Sequence, residues 1–595
     1  MTLGINLKKN NDKNLLLMKW NHQKGWPVKF EVNVSHDNNI FNPVICDLEG
    51  DNSLDVVVSY SFSETESYID AYSLNGSQKI DLGFPFMVPG KMLSEVSVGD
   101  LDNDGNTEIV ASVPVLIDTI HTTIYVFKYD GDKFVESWHF MESWETGKVL
   151  YSPTIGDIDG DGDLEIVTGN QRNIFDWRGV VYALHHDGTM VSGWPVSSIK
   201  KSGSYYATPA LGDIDNDGFL EVVVGTYFLF LYAWEGNGKL VSKNWPVRFP
   251  DDNRAHSVQI GDLDGDSKLE IVQIGAKYGD IYIYDGNGNT INLISPETPD
   301  FSSTPALGDI DGDGDLEIFV NIGNYIYGWH HDGNKVAGSW PVFINNNARS
   351  SRVSIILGDV DSDHLPDIIY MHENLEDGSD IFAFHSDGTL IDGWPYSFEK
   401  ANDLRSSPTL IDIDKDGDLE LVFSYSYIKS SPNPSSYTID ILDLNSTYNP
   451  STMHWPMFQN NPKHSGLYQK PGNNPPEEPI LNGPSNGKVR TDYTFTAITN
   501  DSDGDNISYL FDWGDGTNSA WTEFVKSGTM VNQSHKWLWK STFKVRVKAK
   551  DCYASQSNWT TLEVKIPRNK AIDNFQWEKF LERFPIIQKL LHLIK

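Results

Sequence analysis

Two cysteines in 595 residues, Cys46 and Cys552, are too few and too far apart for a disulfide framework or a cysteine-based zinc site. Positive charge is also scarce: 46 Lys and Arg against 83 Asp and Glu give a formal net charge of −37. Such a chain lacks the basic footprint that nucleic acid requires. No stretch approaches the ~20 apolar residues of a membrane helix. The opening MTLGINLKKNNDKNLLLMKW has no apolar run long enough for a signal peptide, so export is directed otherwise or residue 1 is not the natural start. Helical periodicity is missing between Trp26 and Trp455, and the G-x-S-x-G, H-E-x-x-H and phosphate-loop motifs are absent.

What the chain has is one short acidic loop in eight copies. The clearest reads GDIDGDGDLEIV, Gly156 to Val167. The first, third, fifth and ninth positions are acidic in every copy: Asp47, Glu49, Asp51 and Asp55; Asp100, Asp102, Asp104 and Glu108; Asp157, Asp159, Asp161 and Glu165; Asp213, Asp215, Asp217 and Glu221; Asp262, Asp264, Asp266 and Glu270; Asp309, Asp311, Asp313 and Glu317; Asp359, Asp361, Asp363 and Asp367; Asp412, Asp414, Asp416 and Glu420. Carboxylates two residues apart on a tight loop repel one another unless a hard cation lies between them, and Ca²⁺ takes six to eight oxygen ligands. The pattern predicts about eight Ca²⁺ sites, one per repeat. Eight such ions would bring the formal charge of −37 to about −21 by simple addition.

The loops begin 53, 57, 56, 49, 47, 50 and 53 residues apart. Each opens an apolar run such as Leu316 to Val320, followed by an aromatic strand and a turn at Asp187-Gly188, Asn237-Gly238, Asp332-Gly333 or Asp387-Gly388. Trp-Pro closes most units, at Trp26, Trp194, Trp245, Trp340, Trp394 and Trp455, with Phe84-Pro85 as a variant. Three or four short strands per unit predict an all-β chain with an eight-bladed β-propeller, seven blades being the alternative. The segment before Asp47 is expected to lend the last blade a closing strand.

An EF-hand would need an acid at position twelve, where these loops carry Val58, Ala111, Thr168, Val224, Gln273, Val320, Tyr370 and Phe423. The D-h-D-x-D-G-x-x-[DE] loop feeding a hydrophobic strand instead resembles the FG-GAP/VCBS repeats of integrin α-chain propellers and of microbial surface proteins. That resemblance implies Ca²⁺ on the four acidic positions, with a backbone carbonyl from the seventh. Asn52, Ser267 and His364 depart from the glycine expected at position six, and Glu49 from the aspartate at position three.

The propeller is expected over residues 20–468. A Pro/Gly/Asn-rich linker follows over 469–487, then alternating strands over 488–567, starting from about 476 if part of the linker belongs to them. FDWGDGT (Phe511 to Thr517) with VRVKAKD resembles a PKD domain, an immunoglobulin-like β-sandwich of archaeal-type cell-surface proteins, which implies that Trp513 packs between two sheets. Asp501, Asp503 and Asp505 form either a solvated turn or one further Ca²⁺ site. The tail 568–595 has apolar residues at helical spacing, which suit docking on a membrane surface or a partner and equally suit packing on the sandwich.

His185-His186, His330-His331 and His385 recur just before Asp-Gly turns and are read as turn residues on separate repeats, not as a catalytic cluster. Arg172, Trp177 and Arg178 are read first as an ordinary surface loop, with a sugar or carboxylate contact as the alternative. The expected function is that of a calcium-binding adhesion or ligand-binding protein at the cell surface or outside the cell, its propeller held together by one Ca²⁺ per blade and presented to a protein or glycan by a PKD spacer. An enzyme is the less favoured alternative, in the manner of rhamnogalacturonan lyases with calcium-bearing propellers, and a passive surface component is the third reading.

Overall fold

The computed structural model describes residues 21–32, 40–63, 65–92, 94–116, 120–141, 152–173, 178–198, 207–226, 230–248, 257–344, 353–374, 378–398, 404, 406–427, 435–553 and 555–566. The chain divides into two units, Met1–Gly472 and Asn473–Lys595. Described residues outside strands form loops, turns and two 3₁₀ turns, Ile80–Leu82 and Pro450–Thr452. The tail 568–595 lies outside the described residues.

The first unit holds eight antiparallel sheets, one for each acidic loop. Seven have four strands in chain order; the third sheet, for example, comprises Thr154–Gly156, Glu165–Asn173, Arg178–Leu184 and Val196–Ser197. The eighth has five, because Asn21–His22 and Val28–Val32, from the segment before Asp47, pair with Ser435–Thr447. Every acidic loop joins the first strand of its sheet to the second. The residue before the loop pairs across the ladder with the ninth-position acid in all eight: Cys46 with Asp55, Gly99 with Glu108, Gly156 with Glu165, Gly212 with Glu221, Gly261 with Glu270, Gly308 with Glu317, Gly358 with Asp367 and Ile411 with Glu420. The apolar run after each loop is thereby fixed in a buried second strand, as in Glu317–Ile322, where all six residues are buried.

Neighbouring sheets pack through these first strands. A methyl group on Gly156 would meet Leu211 of the fourth sheet at 2.6 Å, and one on Gly308 would meet Leu357 of the seventh at 2.8 Å. The eighth sheet meets the first: the Ser407 backbone N–H donates to Asn42 Oδ1 at 2.6 Å, and Ile413, Val422, Tyr437 and Ile441 share one core with Ile45, Val56 and Val58.

One segment, Met453–Tyr468, lies across the first strands of most sheets. The N–H groups of Leu357, Leu410, Val98, Ile155, Leu211 and Ile260 donate to the carbonyls of Trp455, Pro456, Pro462, Lys463, Ser465 and Gly466 at 2.8–3.1 Å. In the remaining sheet but one, the Asp309 N–H lies 3.2 Å from His454 Nδ1. First strands of six sheets, and the residue that follows the first strand of a seventh, therefore meet one stretch of chain, which satisfies edge N–H groups that would otherwise be buried without partners.

Tryptophans fasten successive sheets. The indole N–H of Trp26, Trp194, Trp245 and Trp340 donates to the carbonyl of Leu74, Gly236, Gly286 and Ser386, each in the hairpin of the next sheet, at 2.7–3.0 Å. In the second sheet, which ends without Trp-Pro, Trp138 makes the same bond to His186 at 2.7 Å.

The second unit is a two-sheet sandwich. Ile480–Asn482, Tyr493–Ile498 and Val531–His535 form one sheet; Val525–Lys526, Asn506–Asp512, Thr542–Asp551 and Thr560–Lys565 form the other. Trp513 is buried in the core with Phe495, Phe511, Trp537 and Phe543, and its carbonyl accepts the Trp537 indole N–H at 3.1 Å.

Candidate metal centres

The eight acidic loops share one backbone. Positions four and six have a positive φ in all of them, from 55° at Asn103 to 102° at Gly162. Ser267 (65°) and His364 (72°) take the same left-handed conformation as the glycines they replace, and at position four so do Asn103, Asn216, Ser362 and Lys415. Three hydrogen-bond patterns hold this shape. The position-five carboxylate accepts the position-seven N–H in all eight loops at 2.7–3.0 Å. The first-position carboxylate accepts the position-six N–H in seven at 2.6–3.2 Å, Ser267 and His364 included. The ninth-position acid accepts the position-two N–H in seven at 2.8–2.9 Å. In those seven loops the ninth-position acid thus spends one oxygen on the position-two N–H, whereas Asp47, Asp100, Asp157 and Asp359 accept loop N–H groups on both oxygens.

These arrangements bring the acids of each repeat together. Asp100, Asp102 and Asp104 offer ligand atoms within 4.8 Å of one another, as do Asp157, Asp159 and Asp161. The ninth-position acid is buried in every loop, and 7 % is its largest exposure, at Glu270. Several buried carboxylate oxygens have no hydrogen-bond partner: Asp102 Oδ1, Glu108 Oε1, Glu221 Oε1, Asp262 Oδ1, Asp367 Oδ1 and Asp412 Oδ1. A buried carboxylate oxygen without a partner is costly, and a hard divalent cation is the ligand that suits an all-oxygen set on a tight turn. The donors of these loops fit Ca²⁺.

A fifth side chain enters some loops, and sequence reasoning missed it. His185 Nδ1 lies 3.1 Å from Glu165 Oε1, and His330 Nδ1 2.9 Å from Glu317 Oε1. His385 Nδ1 stands 3.6–3.8 Å from Asp361, Asp363 and Asp367. These histidines sit in the hairpin turns expected of them, each carbonyl accepting the N–H of the turn glycine, and they also belong to the acidic clusters. The signal that could have found them is register: each follows the strand residue paired beside the ninth-position acid.

Family models match segments of both units. An FG-GAP-like repeat matches residues 100–168 and 359–423, and a PKD domain matches residues 482–564. The chain carries FG-GAP-like repeats followed by a C-terminal PKD domain. The sandwich is similar to the PKD domain of an M14-like peptidase from a Thermoplasmatales archaeon, at 45% identity over 100% of that chain and 16% of this one, with a TM-score of 0.16. Other likenesses are distant. The V. cholerae biofilm matrix protein Bap1 is 12% identical over 76% of this chain and 97% of its own, with a TM-score of 0.49. Raptor from Chaetomium thermophilum is 11% identical over 57% of this chain and 27% of its own, with a TM-score of 0.33. No curated protein matches the chain.

Burial and mutual repulsion raise the pKa of several carboxyls inside the acidic loops, the ninth-position acids above all. Burial first, then the neighbouring acids, push Glu165, Glu270, Glu317 and Glu420 up to about 8 and Asp367 to about 9. Glu235 faces the fourth loop from the next hairpin; burial, with Asp215 and Asp217 nearby, lifts it to about 7. A metal ion at these positions would remove this repulsion, and its binding would be linked to the ionisation of these groups.

In the PKD domain, Asp501 is buried; its Oδ1 accepts the N–H groups of Asp503 and Asp505 at 2.9 and 3.2 Å, and its Oδ2 has no partner. Asp503 instead accepts from Asn474. In the candidate ligand loop, Trp177 and the side chains of Arg172 and Arg178 lie outside the described residues.

Proposed function

We propose that the eight sheets close into an eight-bladed propeller whose FG-GAP loops hold Ca²⁺, and that the protein acts outside the cell or at its surface as a binding or adhesion module. Closure is supported by the core shared between the first and eighth sheets and by the convergence of first strands on Met453–Tyr468. The single observation that carries the calcium reading is the recurrence of a buried ninth-position acid beside carboxylate oxygens without partners. An FG-GAP array followed by a PKD domain suits an extracellular protein, and among the described residues no helix is long and apolar enough to cross a membrane. The PKD domain would then act as a spacer.

The partner is a surface protein or a glycan. A lyase reading needs basic and aromatic residues converging around the propeller axis, yet Met453–Tyr468 occupies the place where the first strands meet. The test is an array of glycans and polysaccharides probed with folded protein in Ca²⁺ and in EGTA. Calcium-dependent binding to one glycan class supports the adhesion reading. Binding that is equal in EGTA, with the protein still folded, removes calcium from the function.

A further inference from the structure

We infer that the first FG-GAP loop carries its own cation, the Lys79 ammonium, and takes no metal ion. The inference rests on the calcium reading of the other loops.

Lys79 precedes the 3₁₀ turn Ile80–Leu82, which follows the strand Glu66–Ser73 of the first sheet. Its Nζ lies 2.9 Å from Asp55 Oδ1 and in direct contact with Glu49 Oε2. These are the ninth and third positions of the loop, two of the four side chains expected to hold the ion. The contact is an interior one: the Lys79 side chain is 13% exposed and that of Asp55 is 2% exposed. Lys268 of the fifth loop differs, for its side chain is 65% exposed and pairs with Asp266 in solvent.

Two further features fit this assignment, one of the sequence and one of the structure. Position three is Asp in seven loops and Glu only here, and the extra methylene of Glu49 extends its carboxylate toward Lys79. The loop also faces the seam where the ends of the repeat array meet. There Lys415 of the eighth loop donates to the Asn52 carbonyl and Gln23 donates to Asp414 Oδ2 at 2.6 Å. A divalent ion held by Glu49 and Asp55 would sit against the ammonium they already bind, and like charges so close repel strongly in a partly buried site. One cation must leave, and the ammonium is tethered. The seam would then stay neutralised when calcium is scarce.

The test counts calcium per chain by native mass spectrometry, with elemental analysis after dialysis, in the full chain and in Lys79→Met and Lys79→Gln. Either substitution should gain one Ca²⁺ over the wild type. It should also melt lower than the wild type in EGTA and recover in Ca²⁺. Equal counts in wild type and variants, with calcium bound in both, overturn this inference and leave the calcium reading of the other loops intact. No calcium in any of the three overturns both. Failure of both variants to fold even in calcium overturns the inference as well, because a vacated loop that takes the ion should fold with it.

Discussion

His330 stands directly opposite Glu317 across an antiparallel ladder, and its Nδ1 lies 2.9 Å from Glu317 Oε1. Glu317 has no exposed surface, and its other oxygen accepts the Ile310 N–H at 2.9 Å. The imidazole therefore satisfies the one oxygen that faces the loop. His185 does the same for Glu165 at 3.1 Å. In His330→Ala that oxygen loses its partner, which costs about 1–3 kcal/mol in metal-free protein. Urea denaturation in EGTA should show the loss, and saturating Ca²⁺ should shrink it. An equal loss in both buffers would mean that the histidine and the ion act independently.

Stability without metal should depend on pH in a definite direction. Glu165, Glu270, Glu317 and Glu420 have folded pKa values of about 8, raised by burial and by neighbouring acids above an ordinary value of 4.5. The folded state binds protons that the unfolded chain releases, so this contribution is full below about 4.5 and is lost as pH rises through about 8. In EGTA the melting temperature should fall between pH 5 and pH 8.5, roughly the window those values define. In Ca²⁺ the fall should flatten, and calcium uptake near pH 7 should release protons. A flat melting profile in EGTA would contradict the raised values.

Glu221 tests the fourth loop by itself. It is buried, its Oε2 accepts the Ile214 N–H at 2.8 Å, and its Oε1 has no partner. Burial and the nearby aspartates raise its pKa well above the ordinary value. Glu221→Gln should raise the melting temperature in EGTA, lower it in Ca²⁺ and reduce the calcium count by one. A fall in both buffers would assign Glu221 to packing alone.

Gly308→Ala tests the convergence of the first strands. Its φ is ordinary, so the effect is steric: a methyl group would lie 2.8 Å from Leu357 of the next sheet and 2.9 Å from His454 of the crossing segment. Overpacking of this kind costs about 1–3 kcal/mol. Gly162→Ala makes the contrast, because no atom lies within 4 Å and only its φ of 102° resists substitution. A neutral Gly308→Ala would mean that this junction is looser than the distances indicate.

The acidic loops, the strands they feed and the sandwich around Trp513 were legible in the sequence because their signals are local. Carboxylate spacing, alternation and Asp-Gly turns act within a dozen residues, and the backbone they impose is the same whatever surrounds it. Even the left-handed Ser267 and His364 follow from the loop, through N–H bonds to Asp262 and Asp359 five residues back. Tertiary structure alone decided which distant groups meet. It placed His185, His330 and His385 beside ninth-position acids, Lys79 between Glu49 and Asp55, and Trp138 in the place of a Trp-Pro step. It also laid Met453–Tyr468 across seven sheets, so that Ser97 Oγ lies 2.9 Å from His464 Nδ1, 367 residues away. Such contacts depend on strand register and on how the sheets are ordered, and no local periodicity encodes either.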